Sequence, residues 1–372
     1  MKMRDMSKMA KLVLILLMAT IASFVIAGVI FYAEYGSNNF STLNENALRP
    51  SGSVDVDEEK TQSITGISDV YVNTSSDNIN IIKTDSNELK AHFHGYYSSS
   101  NKEFKPEFTM TTSGSEIRIK VDYKNHIGVL RFNSNLKLDV YLPAGYTKNL
   151  DIHTSSADVN IDEITSLEGF ICKTTSGSLK AKLVNAGKAE LGASSGSMSI
   201  NGAFDSIDFK ATSGEFNSDS IKAKSASFET SSGLIRVNIT ADELKLHSTS
   251  GEIISNQINT KTCSAETSSG SIILSGNPGR LEANTTSGEV KLEYNEYGSD
   301  ISVGTTSGSV GIKLPENAEF HLGYKTSSGD GRVDFPVTAS GTTERKGING
   351  TVVSDRNAVT VTTSSGSLDI TK

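Results

Sequence analysis

The residues of this chain whose types could do chemistry are six histidines, two cysteines and a scatter of arginines and carboxylates. His92 and His94 stand two apart, so on a strand they share one face and could offer two ring nitrogens to one metal ion. Nothing nearby has the spacing to complete such a site, and an exposed strand face is the competing reading. His126, His153, His247 and His321 are isolated, and neither a Ser-His-Asp nor a Cys-His arrangement can be assigned. The nine-residue calcium repeat is missing, and no column of aspartates recurs. Catalytic β-helices gather acids with an arginine or lysine on adjacent rungs of one face. Arg236, Arg280 and Arg332 instead fall on distant rungs. The expectation is a non-enzymatic protein with no catalytic, cofactor-binding or metal-binding residues.

What must position these side chains is a short phrase repeated along most of the chain. A Ser/Thr-rich tetrapeptide ends at Gly114, Gly177, Gly196, Gly214, Gly233, Gly251, Gly270, Gly288, Gly308, Gly329 and Gly366. Thr74–Asp77 and Thr154–Ala157 keep the phrase and lose the glycine. From Ala157 to Gly329 the steps are 20, 19, 18, 19, 18, 19, 18, 20 and 21 residues, a period that marks one supersecondary unit stacked on its own copies. With the glycine as zero, positions −7 and −5 are apolar, as in Phe170 and Cys172 or Leu244 and Leu246. Positions +2 and +4 repeat the pattern in Leu179 and Ala181 or Ile272 and Leu274. Spacing by two is strand periodicity, and the polar residues between face water.

Each repeat therefore reads as a strand, a TSSG corner, a second strand and a looser return. The predicted fold is all-β: a right-handed parallel β-solenoid of ~19-residue two-strand coils, with rungs roughly 4.8 Å apart. The glycines are expected to supply positive φ at the corners, and the hydroxyls to cap turn amides. The wide gaps 77–114, 114–157 and 329–366 are expected to hold a rung without the phrase or a capping hairpin. Gly114 is out of register, which suggests a bulge. Cys172 and Cys263 take inward positions five rungs apart, roughly 24 Å, beyond disulfide reach.

The N-terminal stretch carries a different signal. Leu12–Ala33 is uncharged and rich in Leu, Ile, Val, Ala and Met. As a helix it would span roughly 33 Å, enough to cross a bilayer. Lys2, Arg4, Lys8 and Lys11 precede it, so residues 1–11 are expected in the cytoplasm and the remainder outside the cell. A cleaved signal peptide is the rival reading, with a shorter apolar core. The predicted organisation is a cytoplasmic 1–11, a transmembrane signal anchor 12–33, a polar stalk 34–66 and a β-solenoid 67–372. The net charge of −8 and the lack of a basic stripe exclude nucleic acid as a natural partner.

The TSSG phrase followed by alternating apolar residues, over about Val70 to Ile370, resembles the bacterial "putative adhesin" family of β-strand repeats, a domain of unknown function. The pieces Tyr141-Leu142-Pro143-Ala144-Gly145 and Leu314-Pro315-Glu316-Asn317-Ala318 are similar to that family too. With one N-terminal anchor, the chain resembles membrane-anchored lia-operon protein G-like accessories of Gram-positive envelope-stress operons. The resemblance implies a single-pass membrane protein and brings no catalytic residues. Three functions stay open at this stage. They are a surface adhesin that binds a cell-wall glycan, a stress accessory acting through another membrane protein, and a polysaccharide-active β-helix enzyme.

Overall fold

Alternating apolar residues on both sides of a tight corner leave each repeat with an apolar face it cannot bury alone, so the repeats stack. The computed structural model describes residues 52–101, 104–123, 132–339 and 347–372. Every regular element among them is a strand, and Val54–Lys372 forms one unit. The expected cytoplasmic segment 1–11 and anchor 12–33 lie outside the described residues. Among the described residues, no helix is long and apolar enough to cross a membrane.

The strands before the corners pair in parallel, through Leu150, Phe170, Ala189, Ile207, Ala226, Leu244, Cys263, Leu281 and Ile301. Those after the corners pair through Val159, Leu179, Met198, Phe216, Ile235, Ile253, Ile272, Val290 and Val310. All of these side chains are buried, as the period-two spacing requires.

The return is more ordered than expected. Val159–Thr174, Glu215–Thr230 and Ile253–Thr267 each run as one strand from corner to corner, so the return is a third paired side. Its buried column is Ile164, Val184, Ile221, Ile239 and Ile258, with Gly202 and Gly276 in the same register. The alternation of 18- and 19-residue steps is decided here. The longer rungs place two residues, Asp219 and Ser220 or Asn256 and Gln257, where the shorter ones place Asn201 or Asn238. The shorter rung then caps the extra amides. Asn201 Oδ1 accepts from Asp219 N at 2.9 Å and Ser220 N at 3.1 Å, and Asn238 Oδ1 accepts from Asn256 N and Gln257 N at 3.1 Å each. The extra residues are exposed, and the asparagine supplies the acceptor for amides that the ladder of the shorter rung does not pair.

Both ends of the stack fold back on themselves. Asp69–Thr74 lies between Asn149–Thr154 and Glu116–Tyr123, and Asn78–Thr84 lies between Phe132–Pro143 and the start of Val159–Thr174. Beyond them the pairing turns antiparallel. Glu88–Ser99 runs against Phe132–Pro143, Val54–Ser63 against Glu88–Ser99, and Pro106–Ser113 against Glu116–Tyr123. Two expectations are corrected here. Residues 54–63 are a strand and not stalk, because their polar side chains suit the outermost position of a sheet. Gly114, with φ 59°, sits in the two-residue turn of a hairpin and not at a corner, which accounts for the shifted register of Ile117 and Ile119.

At the other end the order of the chain is not the order of the rungs. Ala358–Thr363 inserts between Ile301–Thr305 and Phe320–Lys325, and Leu368–Thr371 inserts between Val310–Lys313 and Gly331–Val333. The strand near Ile370 is therefore interior and not an edge. The gap 329–366 holds an antiparallel pair, Thr338–Ala339 against Gly347–Val352, whereas 114–157 holds a rung without the phrase, Glu116–Tyr123 and Phe132–Pro143, stacked on Asp69–Thr74 and Asn78–Thr84. Aromatic rings pack at both ends: Phe104, Tyr123 and Phe132 at one, Tyr297, Phe320 and Phe335 at the other.

Candidate functional surfaces and a histidine–aspartate cluster

The corner phrase divides its side chains between core and solvent. The first residue turns inward: Thr174, Thr230, Ser248, Thr267, Thr285, Thr305 and Thr363 are buried. Its hydroxyl accepts the N–H of the glycine three residues on, at 2.8 Å for Thr174 and Gly177 and 3.0 Å for Thr267 and Gly270. In several rungs the same hydroxyl donates to the glycine carbonyl of the rung before, as Thr230 Oγ1 does to Gly214 O at 3.2 Å. The reason for glycine differs from the expected one. None of the stacked corner glycines has positive φ. A Cβ on Gly233, Gly251, Gly270, Gly288 or Gly308 would instead fall 1.7–1.9 Å from the carbonyl oxygen of the preceding corner glycine. Close approach of backbone to backbone requires glycine here, not a left-handed turn.

The two middle residues point outward. Ser75 and Ser76, Thr175 and Ser176, Ser231 and Ser232, and Ser268 and Ser269 are all exposed, as is the equivalent pair on each of the twelve rungs that carry the phrase. Their backbones continue the ladder, with Ser176 N to Ser155 O at 2.7 Å and Ser250 N to Ser231 O at 2.8 Å. The corners thus present a double row of small hydroxyls at the ladder repeat of roughly 4.8 Å. On the return side Lys222, Thr240, Asn259 and Asn277 align rung over rung. With Asn238, Gln257 and Asn295 they line an open polar groove of about 340 Å³. Asp219 lines it as well, and its amide and hydroxyl donors and acceptors suit binding of a polar ligand.

The histidines take different places. His92 and His94 lie on Glu88–Ser99 with their rings stacked at 4.5 Å between centroids. His92 Nε2 lies 2.7 Å from Asp57 Oδ1, and His94 Nε2 lies 3.1 Å from Asp139 Oδ2. Asn80 Nδ2 donates to the other Asp139 oxygen at 2.7 Å, and Asn160 Nδ2 donates to Asn80 Oδ1 at 3.2 Å. The neighbours His92 appeared to lack in sequence are supplied by strands 35 and 45 residues away. Only the antiparallel cap brings them together, and no local spacing signals it.

His153 pairs with Asp151 at 2.7 Å, His247 lies 3.6 Å from Glu266, and His321 Nδ1 is 3.3 Å from Thr351 Oγ1. His126 lies outside the described residues. Arg280 faces Asp300 at 3.7 Å, and Arg332 faces Asp334 at 3.1 Å on a separate rung. Cys172 and Cys263 are free and buried, and burial pushes both thiols up to about 12, away from the thiolate that a nucleophile needs. A further pair escaped the sequence reading. Asp77 fills the corner position that glycine takes elsewhere, and the Tyr123 hydroxyl donates to its carboxylate. Burial pushes the Asp77 carboxyl up to about 6, while the tyrosine hydrogen bond pulls the other way.

The Toastrack DUF4097 family profile matches residues 67–238 and 201–371, nearly all of the repeat region. The chain belongs to the Toastrack DUF4097 family. Three solved structures are among those similar to this Toastrack chain. A "putative cell adhesion protein" from Clostridium sporogenes is 11% identical, with TM-score 0.20, covering 86% of this chain and 99% of that one. "Putative adhesins" from Parabacteroides merdae and Parabacteroides distasonis are 14% and 13% identical, with TM-scores 0.38 and 0.36. They cover 69% and 70% of this chain and 92% and 93% of their own. No curated protein matches the Toastrack chain.

Proposed function

We propose that this Toastrack protein is a non-enzymatic binding protein of the cell surface. In this reading residues 12–33 hold it in the membrane in a single pass, with residues 1–11 cytoplasmic and the repeat domain extracellular. The uncharged run Leu12–Ala33 behind Lys2, Arg4, Lys8 and Lys11 supports that orientation. The coil is read as right-handed, the sense that parallel crossover connections nearly always take.

The observation that carries the binding role is the double row of exposed Ser/Thr hydroxyls, presented on each of the twelve rungs that carry the phrase. A surface that repeats along an axis complements a polymer that repeats along its own. Hydroxyl donors and acceptors match a polyol better than a charged chain, so the partner is a glycan of the cell wall.

Protease treatment of intact cells tests the topology, and the released fragment, offered to an array of cell-wall glycans, tests the binding. The expected result is a stable fragment beginning near residue 54 that retains one class of neutral glycan. Release without glycan retention would overturn the adhesin reading in favour of an envelope-stress accessory working through a membrane partner. Turnover of any glycan would overturn the non-enzymatic one.

A further inference from the structure

We propose that His92, His94 and Asp139, supported by Asp57 and Asn80, form a binding site for a divalent transition-metal ion of the zinc type. One ring nitrogen of each histidine and a carboxylate oxygen of Asp139 lie within 4.8 Å of one another. Ligand atoms about a tetrahedral zinc, at about 2.0–2.1 Å each, stand roughly 3.3 Å apart. His94 Nε2 and Asp139 Oδ2, 3.1 Å apart, already hold that separation, so only the His92 ring must move inward. That side chain is 26% exposed, on the outer face of the cap, and Asp57 holds its Nε2 at 2.7 Å.

The donor set selects the ion. Two imidazoles and a carboxylate suit zinc and its first-row neighbours, whereas calcium and magnesium seek cages of oxygen. The surrounding groups are those a metal site needs. Asn80 anchors the far oxygen of Asp139 at 2.7 Å and is itself held by Asn160, which aims the near oxygen at His94. Asp57, 85% exposed and 2.7 Å from His92 Nε2, orients that ring and adds a second negative charge. Lys137, opposite His94 in the register, is the cation that a bound metal must tolerate, and Glu59 stands opposite His92 but is engaged by Lys90 at 3.3 Å.

The same contacts without a metal would be two ordinary His–Asp pairs on a sheet surface. Three things favour a site: the converging of both histidines on one side, the ring stacking, and the Asn160–Asn80–Asp139 chain. A pair of exposed ion pairs requires none of them.

The test is titration of the full-length protein with Zn²⁺, and with Co²⁺ as a visible-absorption probe of coordination. Wild type is expected to bind one ion, with Co²⁺ bands of tetrahedral type. His92→Ala, His94→Ala and Asp139→Asn are each expected to weaken binding at least tenfold, and Asn80→Ala by about tenfold through loss of carboxylate orientation. His153→Ala, on another face, serves as control and should bind as wild type. Because the cluster is on the surface, the melting temperatures of these variants should stay close to wild type. Absence of saturable one-to-one binding, wild-type affinity in His92→Ala or His94→Ala, or an equal loss in His153→Ala would each overturn the site.

Discussion

Gly366 rests on Gly308, and Gly329 rests on Gly366. A Cβ added at Gly366 would fall 1.9 Å from the Gly308 carbonyl oxygen, and one at Gly329 would fall 1.9 Å from that of Gly366. The last stretch of chain is therefore threaded beneath a rung that was laid down earlier. Phe320–Lys325 cannot reach its final pairing until Ala358–Thr363 is in place. The corner column is continuous across this inversion, because the contact is between backbones and does not depend on chain order.

That contact gives the first prediction. Gly270→Ala or Gly288→Ala should destabilise the domain by about 1–3 kcal/mol or more, since the added methyl meets a carbonyl that the ladder holds in place. Gly311→Ala, on a strand with open space where its Cβ would stand, should be neutral or stabilising. Urea unfolding of the three variants compares them directly. Equal losses would show that glycine is needed for its flexibility and not for the approach.

The inward hydroxyl column gives the second. Thr267→Val keeps the shape of the side chain and removes the acceptor of the Gly270 N–H at 3.0 Å. The buried amide is then unpaired, at an expected cost of about 1–3 kcal/mol. Ser269→Ala, at an exposed position of the same corner, should change stability by no more than about 0.5 kcal/mol. Chemical denaturation at one pH is sufficient to separate them.

Asp77 predicts a pH dependence. Its carboxyl is raised from 3.8 to about 6, chiefly by burial, so the folded protein holds this proton more tightly than the unfolded chain. Stability from this group is therefore highest below about pH 4 and is lost as pH rises to about 6, by on the order of 2 kcal/mol. Asp77→Asn should abolish that component. The stability of wild type minus that of the variant, measured between pH 4 and 7, should fall across the window. A flat difference would mean the carboxylate is already ionised at pH 4. Tyr123→Phe removes the donor and should move the loss to higher pH.

The register can be probed at adjacent residues. Leu246→Asp places an unpaired charge among the buried columns and should cost more than about 4 kcal/mol, enough to prevent folding of a marginal domain. Lys245→Asp, one residue away and outward, should cost less than about 1 kcal/mol. Thermal melting followed by circular dichroism reads both.

Much of this architecture is visible in the amino-acid sequence because a solenoid repeats its local rules. The TSSG period, the apolar pairs at −7, −5, +2 and +4, and the exposed hydroxyls between them are set by contacts between one rung and the next, so each copy restates the pattern. The third side was hidden because its column mixes isoleucine and valine with Gly202 and Gly276, and because the extra residue in alternate rungs breaks a strict spacing. The role of the corner glycines was hidden for another reason. A carbonyl less than 2 Å from an absent Cβ belongs to a different rung, and no local propensity records it.

What only the tertiary structure decided lies at the ends, where the repeat stops and neighbours come from far along the chain. The hairpin at Gly114, the strand at Val54–Ser63, the inverted order of Gly366 and Gly329, the Asp77–Tyr123 pair and the His92–His94–Asp139 cluster all depend on antiparallel or inserted strands. The composition of a stack's interior is dictated by its copies, whereas each end must close an edge that has no copy to lie against. Long-range pairing alone determines how it does so.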